Sequence, residues 1–305
     1  MPSFLTWCGR MAFGVRQLLI ACAFFLAASS AESAHPLSLW QVDGANNRIY
    51  LLGSVHLLRK SDHPLPDRIY AAYEDADTLV MELDMDDIDP LATQALINEL
   101  GMIQDGRELR ELMGPRLYAK AEKQAQVVNI PLAMFSSTEP WFAALTVENL
   151  LLMRIGFNPS YGLEMHLAQQ AMTDGKVILG LETERQQMEM LDGLSLKSQR
   201  NLLLQSLAEG AELESLMDEM VTAWRHGDTS YLEQTLLNDL RQYQELFDVL
   251  VAERNRAWAE KIDQLLSEDE NYLIIVGALH LVGDLSVQSL LEDRGHTVTQ
   301  LGATD

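Results

Sequence analysis

The chain has 305 residues, 22 Lys and Arg against 45 Asp and Glu, and a formal net charge of −23. With 48% hydrophobic and 22% charged residues, its composition is that of a globular protein, which excludes a disordered or fibrous chain. The excess of negative charge would repel phosphate backbones, so we expect no nucleic-acid partner. After the first thirty residues no stretch reaches the ~18 continuous apolar residues of a membrane span, so the mature chain should contain none.

The first 31 residues have the pattern of a secretory signal peptide. Arg10 and Arg16 precede an unbroken apolar run, Leu18 to Ala28, and small residues then allow cleavage after Ala31. The apolar run is too short for a membrane span, so we expect residues 1–31 to be removed and the protein to be periplasmic or secreted.

Both cysteines of the chain, Cys8 and Cys22, lie in this leader. The mature protein would therefore have no thiol, which excludes cysteine nucleophiles, cysteine–zinc sites and disulfides. The stretch that ends at Cys22 weakly resembles a lipoprotein box. Because the residues after it are still apolar, we expect cleavage at Ala31 rather than a lipid anchor.

The N-terminal part of the mature chain reads as three strands. Residues 38–43 and 48–54 are apolar runs separated by a turn, which predicts a hairpin, and residues 77–83 form a third run. Asp89 followed by Pro90 is a strong helix start. From there to about residue 270 the sequence is mostly helical.

One strand interrupts this helical region and two more follow it. We predict strands at 176–181, 271–276 and 296–301, with a helix near 282–293 between the last two. That order predicts a parallel pair formed by the last two strands. We therefore expect an α/β fold: one domain over 36–301, with a central mixed sheet built from both chain ends and a helical insertion at about 89–270.

A repeated motif is the most informative feature. Two apolar runs each end in G-x-x-H, at Gly53–His56 and at Gly277–His280. A glycine at the end of a strand permits a sharp turn and a close approach of other groups. Both histidines should then lie at the carboxyl edge of the sheet, where open α/β folds bind ligands. Two converging imidazoles suit a metal ion or proton transfer, whereas loop histidines bonded to the backbone are the structural alternative.

Several charged residues could join this edge. Glu82 ends a buried strand, so it needs a cation, either a metal or an arginine. Glu182 follows another strand and either faces the same edge or begins the next helix. Arg254 could bind a substrate carboxylate or an oxyanion, or form an ion pair with Glu82 or Glu164.

Glu164 and His166 are two positions apart on a predicted helix, so they do not share a face. For Glu164 a functional and a structural role are equally open, and for His166 the structural role is preferred. The acidic run from Asp84 to Asp89 lacks the glycine of a calcium loop, so we interpret it as a solvated loop with a helix cap.

Together these motifs resemble the TraB/GumN family, over roughly residues 38–301. The resemblance rests on L-W-x-V near 40, Y-L-L-G-S-V-H at 50–56, Y-G-L-E at 161–164, L-G-L-E-T at 179–183, E-R-N at 253–255 and V-G-A-L-H-L-V-G at 276–283. The wider group includes the TIKI metalloproteases of animals, the erythromycin esterases and the haem-binding ChaN-like proteins.

The resemblance implies a hydrolase that uses a divalent metal, with manganese or cobalt favoured and zinc or iron also suitable. Carried over to this chain, His56, His280 and Glu82 are the metal positions, and Glu82, Arg254 and Glu164 are the catalytic ones. The family often has Asp where Glu164 stands, so a ligand there would reach about one methylene further. Ser54–Val55 replaces the Thr–Ile that the family often has, which should be tolerated.

We therefore expect a periplasmic metal-dependent hydrolase, preferably a peptidase acting on peptides or proteins. The metal would activate a water molecule and polarise the scissile carbonyl, with Glu82 as third ligand or as general base and Arg254 at the oxyanion. The alternatives are a non-catalytic binder of a haem-like ligand in the same pocket, or an interaction protein whose acidic helices bind a partner.

Overall fold

In a computed structural model that describes residues 35–210 and 212–302, six strands form one sheet. They are β1 (Pro36–Asp43), β2 (Arg48–Ser54), β3 (Thr78–Leu83), β4 (Val177–Glu182), β5 (Tyr272–Gly277) and β6 (Val298–Gly302). Their order across the sheet is β4-β3-β5-β2-β1-β6. The signal peptide predicted at 1–31, with Cys8 and Cys22, lies outside the described residues.

The sheet is mixed. The neighbours β2–β5, β5–β3 and β3–β4 are parallel, whereas β1 is antiparallel to both β2 and β6. The predicted hairpin of β1 and β2 is confirmed, with Leu39 opposite Leu52. Five strands come from the two ends of the chain and β4 comes from the segment between them. The predicted α/β class, with a mixed sheet and a large helical insertion, is confirmed.

The helices of the described residues lie mostly between β3 and β5. Those outside this interval are α1 (Asp67–Asp75) and α13 (Val287–Glu292). Those inside it are α2 (Pro90–Leu96), α3 (Leu109–Val127, interrupted at Gly114), α4 (Pro140–Arg154), α5 (Leu163–Asp174), α6 (Glu184–Asp192), α7 (Leu196–Glu209), α8 (Leu213–Arg225), α9 (Thr229–Leu232), α10 (Asn238–Arg241), α11 (Gln244–Phe247) and α12 (Glu253–Leu265).

Short 3₁₀ and π segments connect several of these helices. The 3₁₀ segments are Lys60–Asp62, Leu132–Phe135, Pro159–Tyr161 and Ala278–Leu281; the π segments are Ile97–Gly101, Glu233–Leu237 and Asp248–Ala252. The predicted start of α2 is confirmed, because an Asp89 carboxylate oxygen accepts a hydrogen bond from the N–H of Leu91 at 2.8 Å.

The sheet is buried on both faces. Along β5, Leu273 and Ile275 belong to one apolar core, whereas Ile274 and Val276 belong to a second core on the other side. The second core includes Trp258 and neighbouring residues of α12 and α13, and the first includes residues of α1, α4 and α5. Because both faces are covered by helices, only the strand ends and the outer edges can offer a site.

The predicted pairing of the last two strands is wrong. β5 lies between β3 and β2, and β6 pairs with β1 at the far edge. The two strands run in the same direction, but β2 and β1 separate them. All six residues of β5 are buried, which suits a central strand, whereas the first three residues of β6 are partly exposed, which suits an edge.

The helix predicted near 282–293 is shorter in the structure. Residues 278–281 form a 3₁₀ turn, and α13 begins only at Val287. Gly283 has φ of +82°, a left-handed conformation that interrupts a helix, and Ser286 then caps α13 by accepting the N–H of Ser289.

No helix within the ranges 35–210 and 212–302 has the length and hydropathy that crossing a membrane would require.

Candidate functional site

The two histidines and the glutamate predicted from the sequence come together at the carboxyl edge of the sheet. His56 follows β2, His280 follows β5 and Glu82 lies near the end of β3, and these three strands are parallel neighbours in the order β3-β5-β2. The topology therefore assembles side chains that are separated by up to 224 positions in the chain.

Gly277, the glycine of the second motif, leaves a space between these side chains. A Cβ atom built at Gly277 would lie 3.3 Å from His56 Nε2, 3.3 Å from Glu82 Oε1 and 3.6 Å from His280 Cδ2. The glycine is thus needed for space, since its backbone conformation (φ −52°, ψ 137°) is open to other residues. His56 and Glu82 direct one donor atom each to this point.

His56 is held by Glu164 from the start of α5. Its Nδ1 lies 2.5 Å from Glu164 Oε1, and the hydroxyl of Ser54 donates a hydrogen bond to the same oxygen. The imidazole is 59% exposed, so the ring can be reached from solvent. The charge of Glu164 raises the pKa of His56 to about 9, although burial acts in the opposite direction.

Glu164 can approach His56 because the residue before α5 is a glycine. A Cβ atom at Gly162 would lie 2.0 Å from the carbonyl oxygen of His56, so no larger residue fits there. The side chain of Glu164 is only 12% exposed, and its Oε2 has no hydrogen-bond partner among the described residues. Burial alone would raise the pKa of Glu164. The charge of His56 and the hydrogen bonds from His56 and Ser54 have a larger effect in the opposite direction, so the pKa is lowered. Glu164 therefore acts on His56 as a charged acceptor.

His280 is more deeply buried than His56 and has different hydrogen-bond partners. Its side chain is 5% exposed, its Nδ1 lies 2.6 Å from Asn255 Oδ1, and its Nε2 lies 3.2 Å from Arg254 Nη1. The ring also packs on Trp258, with 4.5 Å between ring centroids. Burial is the main cause that lowers the pKa of His280 to about 3, so this imidazole is neutral.

Arg254 joins the two strand-end glutamates. Its Nη2 lies 2.6 Å from Glu82 Oε2 and 2.9 Å from Glu182 Oε2, and its Nε donates to both Glu182 oxygens at 3.0 and 3.1 Å. Its Nη1 donates to the carbonyl of Leu250 at 3.3 Å and faces His280. All five N–H groups of the guanidinium thus have acceptors. Of the two alternatives for Arg254, the ion pair is the one in the structure, with Glu82 and Glu182 rather than with Glu164.

Glu82 is a carboxylate held in its charged form. Burial would raise its pKa. The two imidazoles, the charge of Arg254 and the N–H of Gly277 outweigh burial and lower the pKa to about 2. That N–H donates to Oε1 at 2.8 Å, and the same oxygen lies 3.9 Å from His280 Nε2. One Glu82 oxygen is therefore committed to Arg254, and the other faces the space above Gly277.

Three polar residues of the site were not predicted as site residues. Ser54 and Asn255 are buried and bond to Glu164 and His280 respectively, and Gln187 donates to both Glu82 and Glu182 at 3.3 Å. Ser54 and Asn255 lie inside two quoted motifs, G-S-V-H and E-R-N, so their position was a usable signal. Gln187 lies in a Gln- and Glu-rich helix and carried no signal.

A cleft of about 280 Å³ opens over the cluster. Its walls combine charged, amide and methionine side chains, among them His56, Glu82, Glu164, Gln187, Met85 and Met165. His166 lies outside this set: its Nε2 is 3.1 Å from the hydroxyl of Tyr70, and its ring packs at 4.9 Å from that of His63. The structural role that the sequence favoured for His166 agrees with these contacts.

Among the described residues, no three His, Cys, Asp or Glu side chains are arranged as a ready-made metal centre. The donor types nevertheless fit a divalent cation. His56 Nε2 and Glu82 Oε1 converge where a Cβ atom would otherwise lie, and the buried Oε2 of Glu164 has no hydrogen-bond partner within residues 35–210 and 212–302. Because the Nδ1 of each histidine is occupied, each presents its Nε2 edge toward the cluster, as metal-binding histidines do.

Comparison with known proteins gives a family and distant relatives. The sequence model of the TraB/PrgY/gumN family matches residues 38–300. The uncharacterized protein YbaP of Escherichia coli is 28% identical over 247 residues, 81% of this chain and 88% of that protein. The metalloprotease TIKI2 of Danio rerio is 22% identical over 353 aligned residues, 93% of this chain and 67% of that protein. No solved structure matches.

Proposed function

The chain belongs to the TraB/PrgY/gumN family, and from that premise we propose that it is a metal-dependent hydrolase with peptides or proteins as substrates. One relative, the TIKI2 protein of Danio rerio, is named a metalloprotease, which supports this reaction class. The signal-peptide pattern of residues 1–31 supports action in the periplasm or outside the cell.

The convergence of His56 and Glu82 above Gly277 is the observation that carries the proposal. His56 Nε2 and Glu82 Oε1 each lie 3.3 Å from the point that a Cβ atom of Gly277 would occupy, and the Cδ2–Nε2 edge of His280 borders the same space. An imidazole nitrogen and a carboxylate oxygen directed to one point at the mouth of a cleft are donor types that occur in open catalytic metal sites.

The charge of the cluster also suits a divalent cation. Glu82, Glu164 and Glu182 are three carboxylates, and Arg254 is the permanent cation among them. With both imidazoles neutral, as metal ligation requires, the cluster carries a net charge of about −2. A divalent cation would neutralise this charge. The proton on His56 Nε2, which the raised pKa of His56 retains at neutral pH, would be released when the metal binds, while the Nδ1 proton stays with Glu164.

We assign His56 and Glu82 as the residues that would hold the metal. His280 Nε2 would be the third donor, in exchange for the hydrogen bond that it accepts from Arg254 in the metal-free protein. The donor set suits manganese or cobalt, which we favour, and also zinc or iron. When bound there, such an ion supplies Lewis acidity, which lowers the pKa of water and polarises a carbonyl group.

The remaining groups position these ligands. Glu164 keeps the proton of His56 on Nδ1, so that Nε2 faces the cleft. Arg254 holds Glu82 in its charged form; because all of its N–H groups already have acceptors, we assign it this role rather than contact with an oxyanion. Gln187 carries an amide at the cleft wall, where it can bond to a peptide backbone.

Elemental analysis of the purified protein tests the proposal. The wild type, His56→Ala/His280→Ala and the matched control His226→Ala/His296→Ala are each reconstituted with Mn²⁺, Co²⁺ or Zn²⁺ and desalted. The control histidines bond to Thr222 and Asp263, outside the cluster. We expect about one equivalent of metal in the wild type and the control, and a loss in the site variant, together with chelator-sensitive cleavage of casein or a peptide library.

Equal metal content in the site variant and the wild type would refute the ligand assignment. The absence of metal and of cleavage from every protein would refute the hydrolase proposal and leave a non-catalytic binding or interaction protein.

A further inference from the structure

The buried amide of Asn255 bonds to His280 from two sides. Its Oδ1 lies 2.6 Å from His280 Nδ1, while its Nδ2 donates to the carbonyl oxygens of Leu285 at 2.8 Å and of His280 at 3.3 Å. Carbonyl oxygens only accept hydrogen bonds, so the NH₂ group of the amide must face them. The orientation of the amide is therefore determined, and Oδ1 must face the imidazole.

An amide oxygen can only accept, which requires a proton on His280 Nδ1. The other side of the ring gives the same answer independently. His280 Nε2 lies 3.2 Å from Arg254 Nη1, and a guanidinium only donates, so Nε2 must be unprotonated, with its lone pair accepting from Arg254. Both neighbours thus demand the same tautomer.

We propose that Asn255 is a positioning residue that fixes His280 as the Nδ1–H tautomer, so that Nε2 stays a lone-pair donor at the edge of the cluster. The functional reason for fixing this tautomer rests on the proposed function, because only an Nε2 lone pair can bind a metal or accept a proton there. The tautomer itself follows from the hydrogen bonds alone.

Asn255 is suited to this role because it is completely buried and lies on α12 directly after Arg254. One helix turn therefore carries both residues that contact the two nitrogens of His280. Groups that orient a metal-binding histidine through its second nitrogen typically change metal affinity by about 10–100-fold when they are removed.

Nitrogen NMR of protein labelled with ¹⁵N-histidine tests the tautomer directly in the wild type. The His280 signal is assigned by its loss in His280→Gln. We expect a protonated Nδ1 and an unprotonated Nε2 for His280 at neutral pH. A protonated Nε2 in the wild type would overturn the inference, and this measurement needs no variant of Asn255 to fold.

A variant of Asn255 tests whether this residue fixes the tautomer of His280. In Asn255→Leu the acceptor of the Nδ1–H bond is absent, so the ¹⁵N signals of His280 should change and Mn²⁺ binding should weaken about 10–100-fold. Asn149→Leu, at an exposed asparagine on α4, is the matched control. Equal Mn²⁺ affinity in Asn255→Leu and wild type would overturn the positioning role, as would unchanged ¹⁵N signals of His280 in Asn255→Leu.

The two proposals fail separately. A wild type that binds no metal but has Nδ1–H at His280 refutes the proposed function and leaves the tautomer assignment intact. If the wild type binds metal through His280 but has Nε2 protonated in the metal-free state, only the tautomer assignment and the positioning role of Asn255 are refuted.

Discussion

The two G-x-x-H segments are nearly identical in sequence pattern and opposite in chemistry. Gly53–His56 ends in an imidazole that is 59% exposed and paired with a carboxylate, whereas Gly277–His280 ends in one that is 5% exposed and paired with an amide. The pKa of the first is raised to about 9 and that of the second is lowered to about 3. The motif thus places a histidine at the sheet edge, and its partner and burial decide which charge it carries.

The glycines of the two motifs differ in the same way. A Cβ atom at Gly277 would enter the space between His56 and Glu82, whereas one at Gly53 would lie 3.2 Å from the Cα of Ala278. Gly277 keeps the proposed metal position open, and Gly53 allows β2 to pack closely against the segment that follows β5. Four experiments on six variants test the roles given to these segments and their surroundings, beginning with the variant for which we expect the largest change.

The largest effect is expected on the His280 side, where the charges are buried. Arg254→Leu would leave Glu82 and Glu182 without their cation, and removal of one partner of a buried ion pair typically costs about 3–5 kcal/mol. Urea unfolding measures this loss. The control Arg185→Leu removes an exposed arginine that pairs with Glu99 and Glu189, and it should cost far less stability because solvent screens these pairs. Equal losses in both variants would show that the Arg254 cluster is not buried as described.

Replacing each motif glycine by alanine should show that Gly277 is needed for metal binding and Gly53 for close packing of β2. Gly277→Ala should weaken metal binding by about 100-fold or more, because the new methyl group lies 3.3 Å from both donor atoms, with a change in unfolding free energy below about 1 kcal/mol. Gly53→Ala should instead cost about 1–3 kcal/mol of stability through its contact with Ala278 and leave metal affinity nearly unchanged. The reverse pattern would contradict the roles given to the two glycines.

The two histidines should change stability with pH in opposite directions, which urea unfolding of the chelator-treated protein can measure. For His56 the folded pKa is raised from 6.5 to about 9, so its stabilisation is complete below pH 6.5 and is lost as the pH rises to 9. Because the ring is more than half exposed, we discount the effect to about 1–2 kcal/mol. The difference between wild type and His56→Gln should shrink by that amount from pH 6 to pH 9.

For His280 the folded pKa is lowered from 6.5 to about 3, so the unfolded chain takes up the proton first as the pH falls. This part of the stability is present above pH 6.5 and is lost between pH 6.5 and 3. The difference between wild type and His280→Gln should therefore shrink toward low pH. A difference that grows there would mean that His280 is charged in the folded protein.

The smallest effect is expected at Asp84, in the acidic loop after β3. Burial, together with Asp86 and Asp87, raises the pKa of Asp84 to about 6, and its Oδ1 has no partner among the described residues. A raised carboxyl pKa costs stability above pH 6, so Asp84→Asn should stabilise the protein at pH 8 by about 0.5–1 kcal/mol after discounting for solvent screening. Metal content should not change. Loss of metal in Asp84→Asn would show that the acidic loop contributes a ligand.

Much of the fold could be predicted because its signals are local. The strands of the described residues were expected within one or two residues of their observed bounds, since each is a short apolar run between turn residues. The neighbours of β5 could not be predicted in the same way. Strand order depends on how far each strand is buried relative to all others, and the central place of β5 excludes β6 as its partner.

The residues of the candidate site could also be predicted from the sequence, whereas several of their contacts could not. His56, His280 and Glu82 each follow or end an apolar strand, so their meeting at one edge follows from parallel topology. The choice of Glu82 and Glu182 rather than Glu164 as partners of Arg254 could not be made, because those contacts span 172 and 72 positions. Nor could the space above Gly277 be seen, since it exists only between three separate strands.

The donors at the sheet edge could be identified from the amino-acid sequence: two histidines and a strand-end glutamate, in a chain that has no cysteine after Cys22. The chemistry open to those donors depends on the folded structure. Burial and the identity of the atom beside each Nδ1, a carboxylate at His56 and an amide at His280, set opposite charges on the two rings. The physical reason is that a pKa depends on solvation and on charges a few ångströms away, and these are properties of the folded chain.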